Sequence, residues 1–187
     1  MEQAAADREL VERITSGDQT ALAALFARHQ VRVFRFISRI TGSDAVAEEL
    51  VNEVFMDVWK QASRFEARSA VSTWLLSIAR NKAFSVMRRR REVAMDDDAA
   101  TTLADDADTP DITAQKSNKA DVIRACMNHL SAEHREIIDL VYYHEMPIAE
   151  VSTIVGIPEN TVKTRMFHAR KRLSVLLAEA GVDRGWP

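Results

Sequence analysis

Apolar residues recur at three- and four-residue steps along most of this chain, and period-two alternation never lasts more than a few residues. Leu22, Leu25, Phe26, His29, Val33, Phe36, Ile37 and Ile40 form one stripe, the mark of a helix with one buried face. His29 therefore reads as a core residue. Asp18 caps this helix and Thr41-Gly42-Ser43 breaks it. Ser43 or Asp44 opens a second helix over 44–61, with Ala47, Leu50, Val51, Val54, Phe55 and Val58 as its stripe. A third covers 69–91 and turns from apolar to basic at its end, and a short helix over 7–15 precedes all three. Further on, the pattern predicts helices over 118–129, 132–144, 147–155 and 158–179, with Ser131 as a cap and Pro147 in a first turn. The predicted fold class is all-α.

Charge then divides the chain. Between Glu92 and Gln115 there are eight acids and no Lys or Arg; setting them aside turns the net charge from −3 to +5. The basic residues are clustered as well. Arg80–Arg91 holds six with no acid, and Lys163–Arg172 holds five plus His168. The acidic stretch includes Pro110 and has almost no large apolar side chain, so it cannot bury enough surface to offset its ordering entropy. It reads as a flexible acidic linker over 92–117, spanning at most about 85 Å at ~3.3 Å per residue. The expected organisation is a helical domain over 1–91, the linker, a second helical domain over 118–180, and a tail over 181–187. No run of 18 apolar residues suggests a membrane span, and MEQAAADRELVERI lacks the basic start and apolar core of a signal peptide. The chain reads as soluble and cytoplasmic.

The helix PENTVKTRMFHARKRL poses a sharper question. Advancing ~100° per residue, Met166, Ala169, Leu173 and Leu176 fall within about 40° of Val162, whereas Phe167 falls near 140°. The outward face thus carries Lys163, Thr164, Phe167, His168 and Lys171, with a ring among cations and a hydroxyl. Two readings stand at this point: a neighbouring helix covers the ring, or the ring faces a ligand. The segment just upstream favours the second. IAEVSTIVGIPENTV reads as a short helix, a tight turn at Gly156 and the start of a second helix, with Val151, Val155, Ile157 and Val162 spaced to pack the two together. That is a helix-turn-helix, whose second helix enters a DNA major groove. There Lys163, Arg170 and Lys171 suit phosphates, Thr164 a base edge and Phe167 a thymine methyl.

At this point the sequence becomes familiar. The stretch from Asp7 to Asn81, above all AEELVNEVFMDVWK and STWLLSIARNKA, resembles region 2 of bacterial sigma factors of the extracytoplasmic-function group. HLSAEHREIIDLVYYHEMPIAEVSTIVGIPENTVKTRMFHARKRL resembles their region 4. The resemblance covers about 7–177. It implies a sigma factor that binds core RNA polymerase and directs promoter-specific initiation. Region 4 would read the −35 element through Asn160, Thr161, Lys163, Thr164, Arg165, Phe167, His168, Arg170 and Lys171. Region 2 would recognise and open the −10 element through Phe65, Arg68, Ser72, Thr73, Trp74, Arg80, Asn81, Lys82, Arg88 and Arg89. Opening DNA requires unstacked bases to be captured by stacking or hydrogen-bonding groups. Trp74 has a plainer reading, since the spacing of Val71, Trp74, Leu75 and Ile78 is that of a core face. Glu49, Asn52, Glu53, Asp57 and Lys60 would grip the clamp of the largest polymerase subunit, although solvated acids on a helix explain that face equally from charge alone. The linker would enter the polymerase cleft, or serve as an inert spacer. A separate anti-sigma factor would hold the protein inactive. Asn160 and His168 stand where the family more often has Gly and Arg, which bears on the promoter sequence read and not on the mode of reading.

Enzymatic readings find little support. There is no P-loop, nucleophile elbow or paired-carboxylate pattern, and no cofactor is implied. A single cysteine, Cys126, excludes an internal disulfide. Cys126, His129, His134 and His144 admit a zinc or redox site, but a buried thiol with ordinary histidines accounts for them, and no metal is expected. Two rival functions remain. A stand-alone helix-turn-helix regulator would bind duplex operator tightly without polymerase. A sigma-like mimic would sequester an anti-sigma protein without binding polymerase.

Overall fold

In a computed structural model, the described residues are 2–97 and 119–182, with side chains described over 5–93 and 121–182. Most of the expected linker and the tail from residue 183 lie outside them. The described residues are helical apart from short connections, and form two domains. The first is built from α1 (Glu2–Thr15), α2 (Gln19–Thr41), α3 (Asp44–Gln61), a 3-10 turn (Ala62–Arg64) and α4 (Val71–Asp97). The second is built from α5 (Lys119–Asn128), α6 (Ala132–Ile138), a π turn (Asp139–Tyr143), α7 (Ile148–Val155) and α8 (Glu159–Glu179).

The helix boundaries follow from local chemistry. Asp18 accepts hydrogen bonds from the Thr20 and Ala21 amides at 2.8 and 3.1 Å, satisfying two orphan donors of α2. Gly42 ends α2 at a φ of 68°, and its amide donates to Ser38 O; this left-handed cap suits a residue without Cβ. Ser43 caps α3 and Ser131 caps α6. Three expectations shift. Pro147 stands before the first residue of α7 instead of within its first turn. The helix expected over 132–144 widens into a π turn, in which the His144 amide donates to Asp139 O. And α4 runs to Asp97, six residues into the expected linker, because no glycine or proline stands before Pro110 to stop it.

The two domains do not stand apart. Leu25, Phe36, Ile37, Ile40, Val54, Val58, Leu75 and Leu76 make the centre of the first domain's core. The same apolar cluster continues into Ile137, Leu140, Met146, Val151, Ile154, Val155 and Val162 of the second. A smaller cluster of Cys126, Met127, Leu130, Ile138, Ala169 and Leu173 joins α5 and α6 to α8. Much of the second domain's apolar surface is thus buried against α2 and α4. Burial of this kind contributes about 25 cal/mol per Å² of apolar area.

Candidate nucleic-acid and polymerase interfaces

Helix α8 is positioned by its neighbour α7. Gly156 closes α7 at a φ of 73°, and Ser152 Oγ donates to Ile157 O at 2.6 Å, fixing the turn. Val151, Val155 and Val162 are buried at the crossing of α7 and α8. This turns the opposite side of α8 to solvent. Asn160, Thr161, Lys163, Thr164, Phe167, His168, Arg170 and Lys171 are all exposed, and Arg165 is half-buried. Phe167 is 64% exposed, its ring edge-on to His168 with centroids 5.5 Å apart. Among the described residues no helix covers it. Thr164 Oγ1 donates to Asn160 O at 3.0 Å, one turn back along the same helix.

The face of α3 is also open. Glu49, Asn52, Glu53 and Lys60 are exposed, and Asp57 is half-buried. Met56, also exposed, supplies an apolar centre that the charge pattern did not reveal. Lys82, expected to meet DNA, instead crosses from α4 to bind Asp57 Oδ2 at 2.9 Å and Glu53 Oε2 at 3.1 Å. Burial works against its ammonium, but these hydrogen bonds outweigh that and raise its pKa.

On α4 the expected residues separate into two groups. Asn81, Arg88 and Arg89 are exposed, as is Arg68 on the preceding loop, where it pairs with Glu66. Phe65 and Trp74 stack at a tilt, centroids 4.9 Å apart, and both are half-buried together with Ser72. Trp74 is therefore a margin residue, neither wholly core nor free. Thr73 and Arg80, however, are not available. Thr73 is fully buried, and its hydroxyl donates to Glu150 Oε2 at 2.6 Å. Arg80 makes a two-point bond to Glu136, with Nε and Nη2 donating at 2.7 and 3.2 Å. Glu136 is itself fully buried. Burial pushes its carboxyl pKa up, and the adjoining Arg80 opposes that rise. The partner acids were missed because their neighbours in HREIIDLV and IAEV suggested only a core stripe. An acid embedded in such a stripe was the one available signal.

Cys126 is buried, and burial raises its pKa. His129 is exposed, while His144 lies at the domain junction. Among the described residues no three His, Cys, Asp or Glu side chains are placed to hold a metal.

Comparison with known proteins now decides the family. Residues 25–93 match Sigma-70 region 2, and residues 120–173 match Sigma-70, region 4. The ECF RNA polymerase sigma factor SigL of Mycobacterium tuberculosis is 30% identical over 177 residues, covering 93% of this chain and 98% of that protein. The chain belongs to the extracytoplasmic-function sigma factors of the sigma-70 family. RNA polymerase sigma factor CarQ of Myxococcus xanthus is 29% identical over 176 residues, covering 92% of this chain and 98% of that protein. Among solved structures, the sigma factor RpoE of Bartonella quintana, in complex with the anti-sigma factor NepR, aligns with a TM-score of 0.67 at 30% identity, covering 85% of this chain and 96% of that one. CnrH, in complex with the cytosolic domain of CnrY, shares the fold with a TM-score of 0.68 at 24% identity over 93% of this chain and 98% of that one.

In this sigma factor, α2–α4 make region 2 and α5–α8 make region 4. The helix α1, before the matched span, is held to α2 by Asp7, whose carboxylate bonds Arg28 at 3.0 Å and the buried His29 at 2.8 Å. His29 is core, as its stripe predicts. The seam between the regions is polar as well as apolar. Arg39 pairs with the buried Asp139 and lies over the Tyr143 ring at 3.8 Å. Arg32 Nε donates to His144 Nδ1, which puts the ring proton on Nε2, 3.0 Å from Asp139 Oδ2. Neither of those two buried atoms makes a hydrogen bond. Arg135 of region 4 donates to the carbonyls of Arg39 and Ile40, and also to those of Asn128 and Leu130.

Proposed function

We propose that this sigma factor binds core RNA polymerase in the cytoplasm and directs it to promoters, acting as a specificity factor and not as an enzyme. Region 4 reads the −35 element in a major groove through the outward face of α8. Region 2 recognises and opens the −10 element through the α4 face and the Phe65–Trp74 pair. The exposed side of α3, with Glu49, Asn52, Glu53, Asp57, Lys60 and Met56, docks on the clamp of the largest subunit. A separate anti-sigma protein restrains it, as the complex of Bartonella quintana RpoE with NepR suggests.

The observation that carries the reading is the solvent-facing Phe167 among Lys163, Arg170 and Lys171. A large apolar side chain left uncovered beside cations has no use within its own fold, and thymine methyls between phosphates are its natural complement. The test is run-off transcription with purified core enzyme on a genomic promoter library. Discrete transcripts sharing two spaced elements are expected. A chain that neither associates with core enzyme nor yields discrete starts would refute the assignment.

A further inference from the structure

One side of α2 carries more positive charge than the fold neutralises. Arg28, Arg32, Arg35 and Arg39 follow at steps of four, three and four residues, which sets them along one face over about 16 Å at ~1.5 Å per residue. Like charges so placed repel one another, and three of the four have partners. Arg28 bonds Asp7 at 3.0 Å, Arg32 donates to the ring and carbonyl of His144, and Arg39 pairs with Asp139. Arg35 is exposed and, among the described residues, makes no hydrogen bond or ion pair. It stands between two cavities, of about 720 and 420 Å³, which it borders together with Arg39 and Tyr143. Arg124 of α5 and Arg135 of α6 border the larger one from region 4. Arg135 is taken up by main-chain carbonyls, whereas Arg124 keeps 71% of its side chain exposed beside Asp121. Among the described residues only two acids, Asp44 and Glu145, border either cavity, and Asp44 is already engaged by the Ser38 hydroxyl.

We propose that the larger cavity binds a nucleoside polyphosphate: Arg35 and Arg124 hold the phosphates from the α2 and α5 walls, and the base lies against Tyr143 and Phe34. A cavity of this size takes one small ligand. A guanidinium fork offers two parallel donors to phosphate oxygens, and its charge strengthens both bonds. Arg35 and Arg124 are the two cations bordering it that no buried group of the fold already holds. An inorganic anion would satisfy them and leave the aromatic wall unused. Tyr143 is 48% exposed, and Arg39 lies over its ring at 3.8 Å, which fixes the ring's orientation. Phe34, half-buried, borders the same cavity. A planar base meets such rings by stacking while its phosphates meet the arginines. The two walls belong to different regions, so a bound nucleotide stabilises their packing by mass action. Neither α4 nor α8 borders this cavity, which separates it from the proposed promoter contacts.

The test uses the full chain without polymerase, in magnesium-free buffer, titrated with N-methylanthraniloyl-ATP and followed by anisotropy. Saturable binding of one nucleotide per chain is expected. Unlabelled ATP should displace it, pyrophosphate should do so roughly tenfold less well, and adenosine should fail at the same concentrations. Arg35→Ala should weaken binding roughly tenfold, the loss expected for one charged hydrogen bond, and Arg124→Ala severalfold. Both positions are exposed, so both variants should keep the parent's circular dichroism spectrum. Arg64→Ala, on the 3-10 turn and outside the cleft, should change nothing. Tyr143→Leu should weaken ATP and leave pyrophosphate unchanged. Saturating ATP should raise the melting temperature of the parent by a few degrees and that of Arg35→Ala much less. No saturable binding, binding indifferent to Arg35→Ala, or pyrophosphate held as tightly as ATP would each overturn the proposal. So would a mixed-sequence single-stranded oligonucleotide whose binding depends on Arg35 while that of ATP does not, since the cleft would then meet nucleic acid.

Discussion

Two basic faces of this sigma factor, of similar composition, are held in different states. The outer side of α8 has its cations and its ring in solvent, with α7 packed only against the inner side. The inner part of the α4 face has its arginine and its threonine matched to acids from the other region. Composition alone does not separate them. What does is whether the folded chain supplies its own anion. A cationic helix next to an apolar surface is a binding site only while nothing internal with the complementary charge reaches it.

Removing Arg80 should expose the difference between the faces most clearly. Arg80→Ala strands the Glu136 carboxylate without a partner, and such losses cost about 3–5 kcal/mol. Urea unfolding should show it, whereas Arg170→Ala on α8 should stay within ~0.5 kcal/mol, as exposed substitutions do. Equal effects of the two would erase the distinction between the faces. Next comes Ile137→Ala. Its side chain is fully buried in the cluster shared by both regions, so truncation should cost about 2–5 kcal/mol and increase proteolysis at the seam.

Lys163→Ala and Phe167→Ala probe the open face. Each should leave the urea midpoint almost unmoved and lower promoter-specific transcription roughly tenfold, as expected for a phosphate or base contact. Core-enzyme binding, measured by gel filtration, should persist. Loss of core binding in these variants would mean the face meets polymerase and not DNA.

Asp18 gives the smallest effect and a control that touches neither face. Hydrogen bonds from the Thr20 hydroxyl, from Arg13 and from the Ala21 amide hold its carboxyl well below the usual carboxylate range. Its folded pKa is depressed, so the stabilisation is complete above the unfolded value of about 3.9 and fades as pH falls through the folded one. Asp18→Ala should therefore lower the melting temperature by a few degrees at neutral pH, and the gap should close under strong acid. A gap that widened with acid would mean that the folded carboxyl binds its proton more tightly than the unfolded one.

The helices were legible because each stripe, at Leu25, Val33, Ile37 and Ile40 or at Leu50, Val54 and Val58, has a single buried face, and because Asp18, Ser43, Gly42 and Gly156 punctuate them. The outward turn of Phe167 was legible for the same reason: angular position on a helix is a local property. The seam was not. Glu136 and Asp139 sit within EIIDLV, where period and polarity conflict, and only contact with Arg80 and Arg39 from another part of the chain explains them. The pairing of Lys82 was hidden likewise, since its carboxylate partners lie one helix away.

Arg135 carries a last consequence. Its guanidinium reaches across the seam to main-chain oxygens at the end of α2, and no acid is involved. Fixed peptide dipoles are not displaced by dissolved ions as a carboxylate pair is, so raising the salt concentration should loosen the charged contacts and leave this clasp in place. Pulling the domains apart then uncaps the last turn of α2. Unravelling of that turn, followed by amide exchange at Arg39 to Thr41, would be the earliest visible sign that the protein has begun to open.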